Sequence, residues 1–319
     1  MGFFDRFTKS DEEKAAEDQS EQEAAQAQAA LAAGGIPPKA QRRLAELRSS
    51  GDDPFFTSTL SVPEALLVRE DGLRPVTQVM GSSIYHVGWQ YQRTFGSWRG
   101  DAAFQELSIV ARAWNEARRL AFSRMYQEAR LAGAHAVVGV RMDSSRWEWA
   151  RDAIEFIATG TAVREPGREP PEHPALTDLS GQDYWKLREA GHQPVGAIGA
   201  TSSWLVLPSR NSRRAILGGW FSGYRNQEIP EFVQGTYHAR NQALGMVWQQ
   251  AQALRAEGIV GMQIVQEAKV HRVERESSAD DVYMIVTLHV LGTAIVSVSD
   301  IPPPSIKPVI SLSGGPGPD

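Results

Sequence analysis

Residues 133–140 read "GAHAVVGV", and 122 positions further on residues 255–262 read "RAEGIVGM". Each is a small turn leading into a short apolar run with a glycine inside it. Gly133 stands where a helix must stop, since a left-handed residue ends a helix most readily when it lacks a Cβ. The run "AVVGVRM" that follows reads as a strand. In the second copy the turn is "RAEG", with Gly258 one step ahead of "IVGMQIV". Gly139 and Gly261 fall within the strands, where glycine marks a bulge or a close backbone approach. The stretch is helix–turn–strand punctuation, used once per domain.

Working outward, the segment before the first turn carries Phe104, Leu107, Val110, Trp114, Ala117, Ala121, Met125 and Ala129 at three- and four-residue steps. That is the apolar stripe of one long helix, about 30 residues and roughly 45 Å in length. Its counterpart keeps Phe232, Ala239, Ala243, Val247, Ala251 and Leu254. Beyond the turns, "AIEFIATGTAV" (153–163) matches "IVTLHVLGTAI" (285–295) at an offset of 132, and both contain Gly-Thr-Ala. Further upstream, residues 60–87 align without a gap to residues 179–206 at an offset of 119. Ser61 with Glu64 has capping-box spacing, and Ser180 with Asp183 is a near copy with a shorter acid. Pro75 and Pro194 push the chain into extended geometry and launch a strand in each copy. The offset grows only between elements, so the pattern reads as an internal duplication. The last insertion lengthens a hairpin through "QEAKVHRVERESSADD".

Around the two repeats lie segments of other composition. Residues 1–54 form an acidic tail expected to be disordered or partly helical, because its Ala, Glu and Gln favour helix but offer no apolar stripe to dock. A short helix near "AQRRLAELR" follows the Pro37–Pro38 break, and the folded part is expected from Phe55. The first domain then covers 55–164, a Pro-rich linker 165–175, the second domain 176–300 and a flexible tail 301–319, in which "PVISL" could add an edge strand. Residues 1–50 and 302–319 are expected to be dispensable for folding, being too poor in apolar surface to offset chain entropy.

The 319-residue chain is 42% hydrophobic, carries a net charge of −5 and has no cysteine. The charge disfavours nucleic acid as a partner, since that affinity comes mainly from phosphate neutralisation. Without cysteine there is no disulfide, iron–sulfur cluster, thiolate zinc or thiol catalysis. No window reaches the roughly 18 apolar residues of a membrane span, and "MGFFDRFTKSDEEK" lacks the h-region of a signal peptide. No integral membrane association and a cytoplasmic location are expected. Arg210, Arg213 and Arg214 cluster in "SRNSRRA", read as a solvated loop with a small anion site as the alternative.

The chain is similar to the YbjQ family, small bacterial proteins labelled heavy-metal-binding. The resemblance rests on "PVTQVMGSSIYHV", "FGSWRGDAAFQEL", "ARLAGAHAVVGVRMD" and "FIATGTAV" in the first copy, and on "PVGAIGATSS", "QALRAEGIVGMQI" and "VLGTAIV" in the second. It implies an α+β fold: two tandem YbjQ-like (dodecin-like) domains, each a curled antiparallel sheet packed on one long helix, between disordered tails. It also implies assembly as pentamers, and brings no established catalytic residues. Five chains could place one domain each in two stacked rings, since the linker spans at most ~45 Å. A monomer with its repeats paired about a pseudo-twofold axis is the alternative.

Chemistry-bearing patterns are sparse. Soft metals want thiolate or thioether ligands, and none of His86, His135, His173, His192, His238, His271 and His289 forms an H-x-H or i, i+4 pair. There is no P-loop, nucleophile elbow or dinucleotide fingerprint. Ser82 and Ser83, with Thr201 and Ser202, put hydroxyls at a strand end in both copies, for hydrogen bonding or as polar ligand contacts. Two loops ahead of the long helices carry Trp89, Tyr91, Phe95, Trp98 and Arg99, and Trp220, Phe221, Tyr224 and Arg225. Aromatics with arginine are the residues enriched at interfaces; the other readings are a cap on the sheet's own core and a small-molecule pocket. The expected function is therefore a non-enzymatic homo-oligomeric scaffold or adaptor, with no cofactor and with protein partners engaged through the tails. The alternative is a small-ligand or heavy-metal-binding module with its site between subunits.

Overall fold

The computed structural model describes residues 11–49, 55–88, 101–146, 153–217, 227–273 and 281–298. Two N-terminal helices, α1 (Asp11–Ala32) and α2 (Pro38–Ser49), precede the repeats. The first half is α3 (Val62–Glu70), β1 (Arg74–His86), β2 (Ala103–Glu106), α4 (Ser108–Leu131), β3 (Ala136–Arg146) and β4 (Ala153–Arg164). The second is β5 (Ala175–Leu176), α5 (Gly181–Glu189), β6 (His192–Leu207), α6 (Arg210–Leu217), α7 (Pro230–Ala253), β7 (Gly258–Val273) and β8 (Asp281–Ser297). The fold is α+β, with two four-stranded sheets ordered β1-β4-β3-β5 and β2-β6-β8-β7.

The same residues start the same elements in both halves. Glu64 Oε2 accepts from the Ser61 backbone N–H and hydroxyl at 2.7 Å each. In the second half the shorter Asp183 meets only the Ser180 hydroxyl, at 2.8 Å, while Ser180 Oγ accepts from the Asp183 N–H at 3.1 Å. The turn after each long helix needs a left-handed residue: Gly133 has φ 67° and, at the matching position, Arg255 has φ 53°. Gly258 does not serve the turn; it opens β7. The arginine tolerates a conformation that costs L-residues roughly 1–2 kcal/mol. Gly139 and Gly261 sit at positive φ where the registers of β3 and β7 slip against β4 and β8. Each is a bulge, as the glycines suggested.

The long helices are 24 residues each, or about 36 Å. α4 begins four residues later than its stripe suggested, because Ala103–Glu106 is a strand. Phe104 therefore leaves the helix and packs on the second core. Ala117, Ala121, Met125 and Ala129 are fully buried as the stripe requires, whereas Leu254 is 41% exposed past the end of α7. The β7–β8 hairpin pairs down to Val273↔Asp281 and is longer than β3–β4. Arg210, Arg213 and Arg214 lie on α6 rather than in a loop, and "PVISL" lies outside the described residues.

The folded part starts well before Phe55. Ile36 and Leu44 are 3% and 0% exposed within the first core, beside Trp114, Met125 and Phe156. Arg124 donates to the carbonyls of Gly35 and Leu31, at 3.1 Å each, and Gln127 to that of Gly34 at 3.1 Å. An amphipathic turn too short to be stable alone is held by α4. A second core surrounds Val247, Val286 and Leu288. A third is shared: Val68, Leu73, Val138 and Val163 of the first half pack with Leu179 and Tyr184 of the second. The halves are thus in direct contact through a shared core.

Candidate assembly interface

The junction between the halves is built from exchanged strands. β2, contributed by the first half, pairs antiparallel on β6, Phe104 opposite Val206, and the Leu107 N–H donates to the Ser203 carbonyl at 2.8 Å. Further along β6 the Asn115 side chain on α4 acts as a surrogate strand. Its amide donates to the Thr201 carbonyl at 2.8 Å and accepts from the Thr201 N–H at 3.0 Å. In return β5 pairs parallel on β3. Thr177 N–H donates to Val137, Val140 N–H to Thr177 and Gly139 N–H to Leu179, each at 2.9 Å. The bulge at Gly139 is what frees these two β3 N–H groups for a second partner. Each half thereby closes an edge of the other's sheet, and unpaired edges are where strand proteins stick together.

The threonine of each Gly-Thr-Ala anchors the segment that crosses. Thr293 Oγ1 meets Thr177 Oγ1 at 3.0 Å, accepts from the Asp178 N–H at 3.1 Å and donates to the Asp178 carboxylate. In the first half Thr161 Oγ1 meets Ser58 Oγ at 3.2 Å and accepts from the Thr59 N–H at 2.9 Å.

Charge is handled tightly here. α3 and α5 pack so closely that a Cβ on Gly181 would lie 2.8 Å from Glu64 Cβ. Arg188 Nε stands 3.1 Å from Asp71 Oδ2, but the N–H is not aimed at that oxygen, which lacks a hydrogen bond. Burial pushes the Asp71 carboxyl above its ordinary value, and Arg188 only partly offsets this. The Asp178 carboxyl is likewise raised by burial against the Thr293 hydrogen bond. For Glu64, burial is outweighed by hydrogen bonds from Ser61 and the Gly181 backbone, so its carboxyl is held low. Phe104 meets the His238 ring edge-on at 5.0 Å, and Trp204 stacks on the same ring at 5.2 Å.

Of the residues singled out from sequence, Trp89, Tyr91, Phe95, Trp98, Arg99, Trp220, Phe221, Tyr224 and Arg225 lie outside the described residues. The hydroxyls lie within strands, not at their ends. Ser83, Thr201 and Ser202 are buried; Thr201 Oγ1 meets His289 Nδ1 at 2.9 Å and Ser202 donates to the Ala239 carbonyl at 2.6 Å. Ser82 is half-buried and its carbonyl accepts from Arg124. Among the described residues no three His, Asp or Glu side chains converge as a metal site would need, and no helix is long and apolar enough to cross a membrane. A groove of about 1020 Å³ runs between α4 and α7, lined by Arg112, Arg118, Arg119 and Gln249. Burial pushes the Arg118 guanidinium down to about 10, and its Nη1 meets no acceptor among the described residues.

Sequence reading missed Asn115 and the strand Ala103–Glu106. A signal existed: Gln105-Glu106-Leu107 returns as Gln227-Glu228-Ile229 at the same offset of 122 as the turns.

Comparison with known proteins gives a consistent picture. Residues 89–165 match the YbjQ family model, described as "Putative heavy-metal-binding". An encapsulin nanocompartment protein of Mycobacterium tuberculosis is 33% identical over 232 residues, 71% of this chain and 82% of that protein. A UPF0145 protein of Thermus thermophilus is 46% identical over 65 residues, 20% of this chain and 55% of its own length. A UPF0145 protein of Mycobacteroides abscessus is 36% identical over 78 residues, 24% of this chain and 67% of its own. No solved structure matches the chain.

Proposed function

The chain belongs to the YbjQ-like family, and from that premise we propose that it is a non-enzymatic, self-assembling scaffold of the cytoplasm, arisen by duplication of one domain. The observation that carries the reading is the junction itself. Two like domains hold each other by donating strands to each other's sheet edges, which is how separate subunits of an assembly would join. The relative named for an encapsulin nanocompartment supports a role in building or accompanying such a compartment. The N-terminal segment 1–54 and the tail 301–319 are the segments proposed to engage a further protein. Light scattering on the full chain tests the reading. A mass that is a multiple of 35.1 kDa is expected, five chains being the count the family resemblance implies. A particle that stays at 35.1 kDa at all concentrations overturns it.

A second reading, a small-ligand or heavy-metal module, is favoured by Arg118, a buried cation beside an open groove. Calorimetric titration with zinc, copper and cadmium, and separately with phosphate and citrate, tests it. Stoichiometric tight binding that Arg118→Met abolishes would support the anion form. Flat titrations would remove the reading.

A further inference from the structure

The inner junction has an outer counterpart that the chain leaves open. Adding 122 maps β3 onto β7 and adding 119 maps β1 onto β6, so each edge closed in the junction has an equivalent that is the outer strand of its sheet. On β3, Val140 is 1% exposed, whereas its counterpart Met262 on β7 is 42% exposed and Ile264 beyond it 44%; Val260, the counterpart of the buried Val138, packs against the third core. β6 is buried through residues 198–203, whereas β1 leaves Met80 and Ile84 47% and 57% exposed. The partners are unspent as well. Gln227 and Glu228, counterparts of the β2 residues Gln105 and Glu106, lie exposed ahead of α7. Ser58–Leu60, counterparts of Thr177–Leu179, make no backbone hydrogen bonds to a strand edge among the described residues. Phe55 and Val62 beside them are 90% and 75% exposed.

We propose that a second copy of this chain docks head-to-tail on these faces, repeating the inner junction between the second half of one copy and the first half of the next. The proposal deepens the scaffold reading and rests on it. The inner junction supplies the register. The segment ahead of α3 in the next copy runs parallel to β7: its Ser58 N–H donates to Ile259, while the Met262 and Gly261 N–H groups donate to its Ser58 and Leu60. The Gly261 bulge, which leaves Gly261 and Met262 without β8 partners, presents those two donors. In the opposite direction Gln227–Ile229 adds to the β1 edge of the next copy, with Gln227 facing His86 and the Ile229 N–H on Ile84. On the leading face Arg124 and Gln127 of α4 already hold the Leu31–Gly35 segment, and Arg124 the Ser82 carbonyl, so the outer joint is made by the strand edges and has no copy of the α4–α7 groove.

The outer joint is not an identical copy. Val62 stands where Gly181 does, and Gly181 admits no Cβ at its present distance from Glu64. Ala190 replaces Asp71 and Tyr237 replaces Asn115, so the ion pair and the amide bridge have no outer equivalents. The outer joint is therefore wider at the short helices, more apolar and weaker. Contacts of this head-to-tail kind close into a ring if the rotation allows, and otherwise run on as a filament. Either way the assembly holds an even number of domains.

Complementation of surface variants tests the joint. Gln227→Pro with Met262→Lys blocks the trailing face; Phe55→Lys with Ile84→Lys blocks the leading face. A proline removes a ladder donor and an edge lysine deters pairing. Circular dichroism melting shows that each variant retains its fold. In light scattering the wild type is expected as a multiple of 35.1 kDa, each double variant as one chain, and their equimolar mixture as a pair of twice 35.1 kDa. The pair forms because each variant keeps the face the other lacks; a twofold contact cannot be rescued this way. If the wild type assembles and the folded variants assemble equally well, the joint is wrong while the scaffold reading stands. If the wild type is a single chain, both fall. Should a proline variant fail to fold, Met262→Lys alone on the trailing side gives the same decision.

Discussion

β3 and β7 carry the same device, a positive-φ glycine at a bulge in an antiparallel pairing, and end in opposite environments. β3 lies between β4 and β5, with Val137 and Val138 fully buried. β7 is the outer strand of its sheet and shows Met262, Ile264, Val265 and Val270 to solvent. Local sequence made two like strands; a neighbour completed one of them. The difference teaches that apolar exposure on β7 does not come from a poorly formed strand, since β7 pairs regularly with β8; under the proposed joint it is the face that a second copy covers. Large exposed apolar patches mark interaction sites.

The strongest way to break the comparison is to remove what only the first half has. α2 puts Leu44 into the first core, and the second half has no such helix among the described residues. Leu44→Ala should cost about 2–5 kcal/mol by cavity formation, seen in urea unfolding. Deleting residues 1–49 should lower the thermal midpoint sharply, while deleting 1–30 should hardly move it. Equal, small effects would show that α2 does not dock.

The two anchoring threonines sharpen it. Thr293→Val strands the buried Asp178 N–H and carboxylate and should cost about 2–3 kcal/mol. Thr161→Val leaves only partly buried partners, the Ser58 hydroxyl and the Thr59 N–H, without their acceptor, and should cost about 1 kcal/mol. Losses in the reverse order would contradict the assignment of Thr293 to the closed junction. The short helices offer a third contrast. Gly181→Val forces α5 off Glu64 and should cost about 1–3 kcal/mol, whereas Val62→Gly, in an exposed first turn, should cost no more than about 1 kcal/mol.

The smallest effect is in pH. The Asp71 carboxyl is raised by burial, so its ionisation favours the unfolded chain, and its contribution to stability declines as pH rises from about 4 through its folded value. Asp71→Asn should therefore gain in thermal midpoint relative to wild type between pH 4 and 7. Glu64, held low across the same junction, works in the other direction: its contribution is lost as pH falls through its folded value. Glu64→Gln should lose ground to wild type as pH rises toward about 4.5, the ordinary glutamate value, and should run parallel to it above that. Parallel pH profiles for both variants would show that neither carboxyl is perturbed.

Much of the architecture was legible because its signals are short-range. Ser61 with Glu64, the turn at Gly133 and the bulge glycines act within a few residues, and each recurs at the same spacing in the second half. Two readings failed for one reason. Phe104 and Leu107 continue the apolar spacing of α4, yet Ala103–Glu106 is a strand because β6 offers it an edge. Ala175 closes a proline-rich stretch that looks like a spacer, yet it pairs with Ala136 of β3. In both cases a distant strand, invisible to any local window, decided the conformation.

By itself, then, the sequence determined the long helices, the long strands, their order and their likeness between halves, since caps, turns and apolar periodicity are set by neighbours along the chain. Tertiary structure alone decided which sheet edges close on each other and which face outward. An edge is satisfied by backbone N–H and carbonyl groups common to every residue, so nothing in the side chains of β3 or β7 announces which will find its partner.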